Sequence, residues 1–161
     1  LPVDFLRSKI SVVPQEPTTF SGTLRENIDP RGQYSDDDIW KAISTVNLSL
    51  FRNLDEKIGN NLSVGQKQLI CMCRALVRRN KVVIFDESNA SVDSDTEALI
   101  QKVISDIFAE CTVIAVMHKL RYVLNFDLVL VVDKGMVIEY GDPSSLLEKK
   151  NGMLSNLFNR Q

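Results

Sequence analysis

The run Val82-Val83-Ile84-Phe85, stopped by Asp86-Glu87, constrains this chain more than any other stretch. Four apolar residues, three of them β-branched, predict a strand buried on both faces, which occurs where helices cover a parallel sheet. Leu99, Val103, Ile104, Ile107 and Phe108 come next at helical spacing. Ser94 and Glu97 stand where a capping box would start that helix. A second apolar run, 112–116, predicts another buried strand and ends just before His118. The order strand, helix, strand implies a right-handed crossover and a parallel sheet. The fold class is therefore α/β.

The same patterning extends in both directions. Residues 127–132 predict a strand that turns at Asp133-Lys134-Gly135 and returns over 136–140 as a hairpin. Short helices are expected at 144–149 and 153–159. Upstream, 9–13 predicts a strand broken by Pro14, and Pro17 makes the residues between them a loop. Ser35 followed by Asp36-Asp37-Asp38 predicts a capped helix that turns Ile39, Trp40, Ile43 and Val46 inward. Three adjacent acids suggest a cation site, but acids at the positive end of a helix are the simpler expectation.

Length and composition bound the possibilities. With 161 residues, 44% of them apolar, one domain with a real core is expected. A net charge of -2 gives no electrostatic footprint for nucleic acid. No apolar run approaches the roughly 18 residues a membrane span needs. Cys71, Cys73 and Cys111 are odd in number and lie in apolar stretches, so a reducing compartment is expected and a disulfide framework is not. The chain opens on Leu1 without a charged-then-apolar leader, and it is expected to be a piece of something longer.

Three features point to chemistry. In Leu62-Ser63-Val64-Gly65-Gln66, Ser63 and Gln66 form a capping box ahead of a helix whose apolar stripe is Leu69, Ile70, Cys73, Leu76 and Val77. Gly65 removes a side chain from the first turn, where bare amides and the helix dipole favour an anion such as phosphate. The same residues also describe nothing more than a well-capped core helix. Asp86-Glu87 end a buried strand, at the edge where open α/β sheets bind ligands. There one carboxylate suits Mg²⁺ and the other suits water activation, or both are solvated acids. His118 holds the matching place after the next strand, and fits either a surface residue or a phosphate sensor.

Taken in order, these motifs resemble an ATP-binding cassette (ABC) nucleotide-binding domain of the multidrug-resistance-associated subfamily, most like its second cassette. The resemblance runs from about residue 3 to about residue 158. Gln15, within Val12-Val13-Pro14-Gln15-Glu16-Pro17, resembles the Q-loop. Phe20-Ser21-Gly22-Thr23-Leu24-Arg25-Glu26-Asn27 resembles the stretch just after the Q-loop in exporters. Leu62-Ser63-Val64-Gly65-Gln66 is similar to the signature motif, Val82 through Glu87 to Walker B with its catalytic Glu, Ser91-Val92-Asp93 to the D-loop, and His118 to the switch histidine.

The resemblance implies a P-loop NTPase-like α/β domain, incomplete here: a mostly parallel sheet flanked by helices, with a helical signature subdomain and a C-terminal β-hairpin. It implies one partial nucleotide-binding domain over 1–161, with the signature subdomain at about 20–80 and a RecA-like core from 1–19 and 81–161. Asp86 would hold Mg²⁺, Glu87 would act as general base, and Gln15 would contact Mg²⁺ and the attacking water. His118 would touch the γ-phosphate. Leu62, Ser63, Val64, Gly65 and Gln66 would reach ATP held mainly by a partner cassette in a head-to-tail dimer, with Ser91 and Asp93 at that interface. Transmembrane domains of the same polypeptide would be driven by the cycle, with this domain on the cytoplasmic face of a membrane. A regulatory cassette without turnover, or a soluble ABC ATPase of DNA repair or translation, are the alternatives.

The pattern departs from the family in several places. No Gly is followed by Lys, so the chain contains no G-x-x-x-x-G-K-[ST] phosphate loop. The family's upstream adenine-stacking aromatic is missing too, and the sheet is expected to expose apolar edges. Val64 replaces the commoner Gly, Ser88-Asn89 stand for Ala-Thr, and Met117 and Lys119 flank the histidine. The connection 54–61 is shorter than usual and lacks an acidic-Gly-Gly stretch, which bears on coupling more than on chemistry.

Overall fold

A computed structural model describes residues 2–59, 61–86 and 92–160. The chain divides into two units, Leu1–Val116 and Met117–Gln161. In the first, helix α1 (Val3–Lys9) leads into β1 (Ile10–Val13); a short β2 (Gly22–Thr23) precedes α2 (Leu24–Ile28) and α3 (Asp36–Thr45); β3 (Lys57–Ile58) precedes α4 (Val64–Arg78), β4 (Val82–Asp86), α5 (Ser94–Ile107) and β5 (Thr112–Val116). The expected strand–helix–strand unit is present: β1, β4 and β5 lie side by side and parallel, with β4 in the centre.

Register explains the burial. Ser11, Val83 and Val113 form one row across the sheet and Val13, Phe85 and Ala115 the next. Ser11, Val13, Val83 and Phe85 are buried, and these rows meet α4 and α5 in a core that includes Ile70, Met72, Ile100 and Val103. Phe85 meets Phe108 edge to face, with ring centroids 5.6 Å apart.

The opposite face departs from expectation. Val12, Ile114 and Val116 are each more than half exposed, and Val82 and Ile84 are only partly covered. β4 is thus buried on one face rather than two, and β5 is half-buried on that same face, because alternate side chains point away from the helices of this unit.

Helix α4 is buried more widely than a single stripe. Cys71 and Met72 are as buried as Leu69, Ile70 and Cys73, whereas Leu76 is partly exposed. The cause is company on several sides: α4 packs on α2, α3, α5 and β1. The acids of α3 take the simpler role. Ser35 caps the helix at the Asp38 amide, Asp36 pairs with Arg25 at 2.7 Å and Asp38 with Arg79 at 2.6 Å. Arg79 itself closes α4 in the left-handed region at φ 49.

Several local elements are additional to the sequence expectations: α1, the β2–β3 ladder, and α2. Thr23 and Glu26 form a full capping box on α2, a signal readable in Thr23-Leu24-Arg25-Glu26. The start of α5 corrects the expected cap. Asp93, not Ser94, is the N-cap, and its carboxylate accepts from the Thr96 N–H at 2.9 Å and the Thr96 hydroxyl at 2.8 Å. Glu97 then falls one residue past the box position and is buried.

In the second unit, a 3-10 turn over Leu120–Asn125 precedes the expected hairpin of β6 (Val129–Asp133) and β7 (Met136–Gly141). Lys134 and Gly135 take φ of 47 and 77, the two left-handed residues that a tight two-residue hairpin turn demands. Helices α6 (Pro143–Leu147) and α7 (Met153–Phe158) complete the unit, and Leu146 and Leu154 pack with Val131. Glu139 of β7 caps α7 from outside, accepting from the Met153 and Leu154 amides at 3.1 and 2.9 Å.

Ile70→Ala should lower the unfolding free energy by about 2–5 kcal/mol, because the site is fully closed. Ile114→Ala, on the exposed face, should cost no more than about 1 kcal/mol. Urea titrations of the two variants side by side check the assigned faces.

Candidate functional site

Two of the expected residues gather at the carboxyl edge of the parallel sheet. Val13 of β1 is paired with Phe85 of β4; Gln15 follows the first by two residues and Asp86 follows the second by one. Pro14 ends the strand and Pro17 keeps the next turn extended, so the chain leaves the sheet through an exposed loop that presents the Gln15 amide. Asp86 is also exposed and shares parity with Val82 and Ile84, so it belongs to the sheet's less covered face. Among the described residues no three His, Cys, Asp or Glu side chains form a metal cage. Mg²⁺ asks for no such cage, since it is usually held by one or two protein oxygens together with water and phosphate. The carboxylate of Asp86 and the amide oxygen of Gln15 are hard donors of that kind.

The signature residues stand at the tip of α4. The Ser63 hydroxyl accepts from the Gln66 amide at 3.1 Å, and the Gln66 side-chain oxygen accepts from the Ser63 amide at 2.9 Å. The expected capping box is therefore complete. It consumes a lone pair of Ser63 and leaves the hydroxyl proton to donate, and it leaves the Gln66 –NH₂ group to donate as well. Among the described residues no acceptor meets the N–H groups of Val64 and Gly65, two of the orphan donors of a first helical turn. Ser63 and Val64 are exposed, Leu62 is half-buried and Gly65 is buried. Of these donors, the Ser63 hydroxyl and the Val64 N–H belong to exposed residues.

Gly65 has a second reason to be glycine. A Cβ there would lie 3.1 Å from the Thr96 methyl and 3.3 Å from its hydroxyl. Thr96 is the residue whose N–H and O–H both bond Asp93. Those bonds, the backbone one first, hold the Asp93 carboxyl below the ordinary carboxylate range. Gly65 and Asp93 are thus joined through one threonine.

His118 is exposed and lies in the second unit, two residues past β5 in the chain. Glu87 and Ser91 fall outside the described residues. A cavity of about 330 Å³ lies elsewhere, between α3 and the C-terminal ends of α4 and α5, lined by Lys41, Arg79, Lys81 and Cys111 among others. Arg74 and Asn27, absent from the expected set, tie the loop after Gln15 to α4. No local sequence signal marks that role, because the acceptors are backbone carbonyls far away in the chain.

A strand-end acid and a loop glutamine leave the same edge of a parallel sheet, and a capped helix tip stands on a separate element of the same α/β unit. Residues 2–90, more than half of the chain, match the ABC transporter family. The chain belongs to that family. Its relatives place it in the C, multidrug-resistance-associated, subfamily. It is 44% identical over 160 residues to ABC transporter C family member 7 of Arabidopsis thaliana, covering 94% of this chain and 11% of the relative. It is 45% identical to ATP-binding cassette sub-family C member 2 of Homo sapiens, over 89% of this chain and 10% of the relative. Multidrug resistance protein mrp-7 of Caenorhabditis elegans is 44% identical over 94% of this chain and 10% of the relative. The chain therefore spans about a tenth of the length of these curated relatives.

Gly65→Ala should push Thr96 aside and disturb the Asp93 cap. Its stability cost should shrink in the Thr96→Ser background, which lacks the methyl, giving a non-additive double-mutant cycle of about 0.5 kcal/mol or more. Asp93 predicts a second effect. Because its folded pKa lies below its unfolded one, its share of stability is present above roughly pH 4 and is lost as pH falls through the folded value. Asp93→Asn should keep the cap yet abolish that acid-limb dependence, as read from the Thr96 amide signal in an NMR pH titration.

Proposed function

We propose that this chain is the C-terminal portion of the ATPase domain of an ABC exporter, coupling ATP binding and hydrolysis to movement of a substrate across a membrane. The observation that carries it is the shared carboxyl edge of Gln15 and Asp86, together with the donors at the exposed Ser63 tip. Asp86 would hold Mg²⁺, with the Gln15 amide oxygen as a second donor, and the metal would supply charge neutralisation for phosphate when bound. Glu87, the next residue in the chain, accepts the proton of the attacking water. His118 donates to the γ-phosphate.

Ser63, Gly65 and Gln66 serve a nucleotide held mainly by a second cassette. Their donors are a hydroxyl, bare amides and a side-chain amide, all suited to phosphate oxygens and none able to hold ATP alone. Leu62 anchors the tip to the core and Val64 stands at its rim. Asp93 and Ser91 lie along the same dimer contact. The two cassettes pair head to tail, so ATP binding draws them together and hydrolysis releases them. Transmembrane domains of the same polypeptide convert that cycle into alternating access, with the cassette on the cytoplasmic side. Among the described residues no helix is long and apolar enough to cross a membrane. The whole chain forms one partial nucleotide-binding domain, with the signature subdomain at about 20–80 and a RecA-like core from 1–19 and 81–161.

Magnitudes decide what the 161 residues do by themselves. A phosphate loop supplies a lysine and several backbone donors, each charge-assisted bond contributing about 1.5–3 kcal/mol. Three or four such bonds amount to roughly 5–12 kcal/mol, against the roughly 8 kcal/mol that a micromolar ligand has in total. With no Gly-Lys pair in the sequence, the isolated chain should not bind ATP. Calorimetry should show no binding at millimolar ATP, and a clear isotherm would overturn that expectation.

The chemistry is tested in the complete transporter that carries this segment. Glu87→Gln should stop turnover, leave ATP trapped between the cassettes and stabilise the dimer. Unchanged hydrolysis would remove Glu87 as base.

A further inference from the structure

Arg74 lies in the middle of α4, with Ser63 at the helix tip before it. Its guanidinium reaches two remote segments at once. Nε donates to the backbone carbonyl of Asn27, one terminal nitrogen donates to the backbone carbonyl of Thr18 at 2.8 Å, and the other donates to the Asn27 side-chain oxygen at 3.3 Å. The same group lies over the Phe20 ring, 5.8 Å from its centroid.

Asn27 completes the joint. It is fully buried, and its amide group donates to the carbonyls of Phe20 and Thr23, each at 3.0 Å, while its oxygen accepts from the Phe20 N–H at 3.0 Å. The Cys71 thiol, one helical turn before Arg74, faces the Thr18 carbonyl. The backbone at 18 and 20 is therefore clamped by two side chains, and one of them is rooted in α4. This clamp begins three residues after Gln15.

We infer that Arg74 is a positioning residue that joins the loop after Gln15 to the signature helix, so that displacement of the loop is delivered to the Ser63 tip. A lysine cannot replace it. One ammonium on a flexible stem does not reach the Thr18 and Asn27 carbonyls together or stack on Phe20, whereas the planar fork does all three. The loop contributes backbone groups and the Phe20 ring, so the specificity of the joint resides in Arg74 and Asn27 with one loop side chain, Phe20. The mechanical link stands on the contacts; its consequence for turnover rests on the function proposed above.

Two measurements test it. In the 161-residue chain, Arg74→Lys should speed hydrogen exchange of the Phe20 amide by roughly tenfold or more while the amides of α3 and β4 keep their protection. Uniform acceleration, or none, overturns the joint. In the complete transporter, Arg74→Lys should lower kcat by roughly tenfold with KM for ATP within about twofold, and Phe20→Leu, which spares the hydrogen bonds, should change kcat far less. A rise in KM with kcat intact would place Arg74 in ATP binding and overturn the positioning role. If the unaltered transporter hydrolyses no ATP, the proposed function falls, and the exchange measurement alone decides the joint.

Discussion

The burial of α4 is the constraint on which the first unit depends. A helix with Leu69, Ile70, Cys71, Met72, Cys73, Ala75 and Val77 all buried has no solvated side along its middle. Each large side chain removed from water stabilises the fold by roughly 1.5–3 kcal/mol, so no rotation of α4 about its axis is tolerated. Burial also suppresses the thiol chemistry of its cysteines: desolvation pushes Cys71 and Cys73 up from the ordinary thiol value, leaving them as small apolar groups. With its middle fixed, the helix has one free end. That end is the capped tip of Ser63, and everything joined to α4 bears on how the tip is aimed.

Two joints do so, at different heights. At the tip, bare Gly65 lets Thr96 approach, and Thr96 in turn holds Asp93 with two hydrogen bonds. Lower down, Arg74 clamps the backbone after Gln15. One rigid rod thus connects the loop that leaves β1 with the start of α5. The parallel sheet supplies the common floor, since β1 and β4 are neighbours in register and α4 packs on β1. The apolar face of that floor, with Val12, Ile84 and Ile114 in one row, ends at Asp86 and Val116. An apolar cover laid along that row would finish against the Asp86 carboxylate.

Much of this was legible in the sequence wherever the cause is local. Ser35 and Ser63 announce their helices because a capping hydroxyl and the N–H that donates to it are three residues apart, and Lys134-Gly135 announces the hairpin because only certain residues accept positive φ. The start of α5 shows the limit of that logic. Asp93 and Ser94 are both good caps, and Glu97 lies at box distance from Ser94, yet the Thr96 hydroxyl adds a second bond to Asp93 and decides the contest. Burial defeats periodicity in the same way. A stripe counted along α4 assumes one apolar neighbour, and four neighbouring elements make Cys71 and Met72 core as well. Likewise the strand pattern of Val82 through Phe85 states what the sheet is able to bury, and the helices of this unit bury one face of it. Arg74 was invisible for a stricter reason: two of its partners are backbone carbonyls, which every residue has, and the others, Asn27 and Phe20, lie about fifty residues away in the chain.

Gly65 shows why one residue invites two explanations without contradiction. A side chain at this position would crowd Thr96 and would also stand beside the amides of Val64 and Gly65 itself, which meet no acceptor among the described residues. Packing and anion access therefore demand the same absence of atoms. They differ in which side of the Cα they need: Thr96 presses from the α5 side, while the amides point along the helix axis past the tip. A methyl placed there would act first on the packed side, where the gap is 3.1 Å, and would reach the ligand side only by tilting the turn. The geometry of this helix tip is thus held in place by a contact made behind it, through Thr96 to the aspartate that starts the next helix.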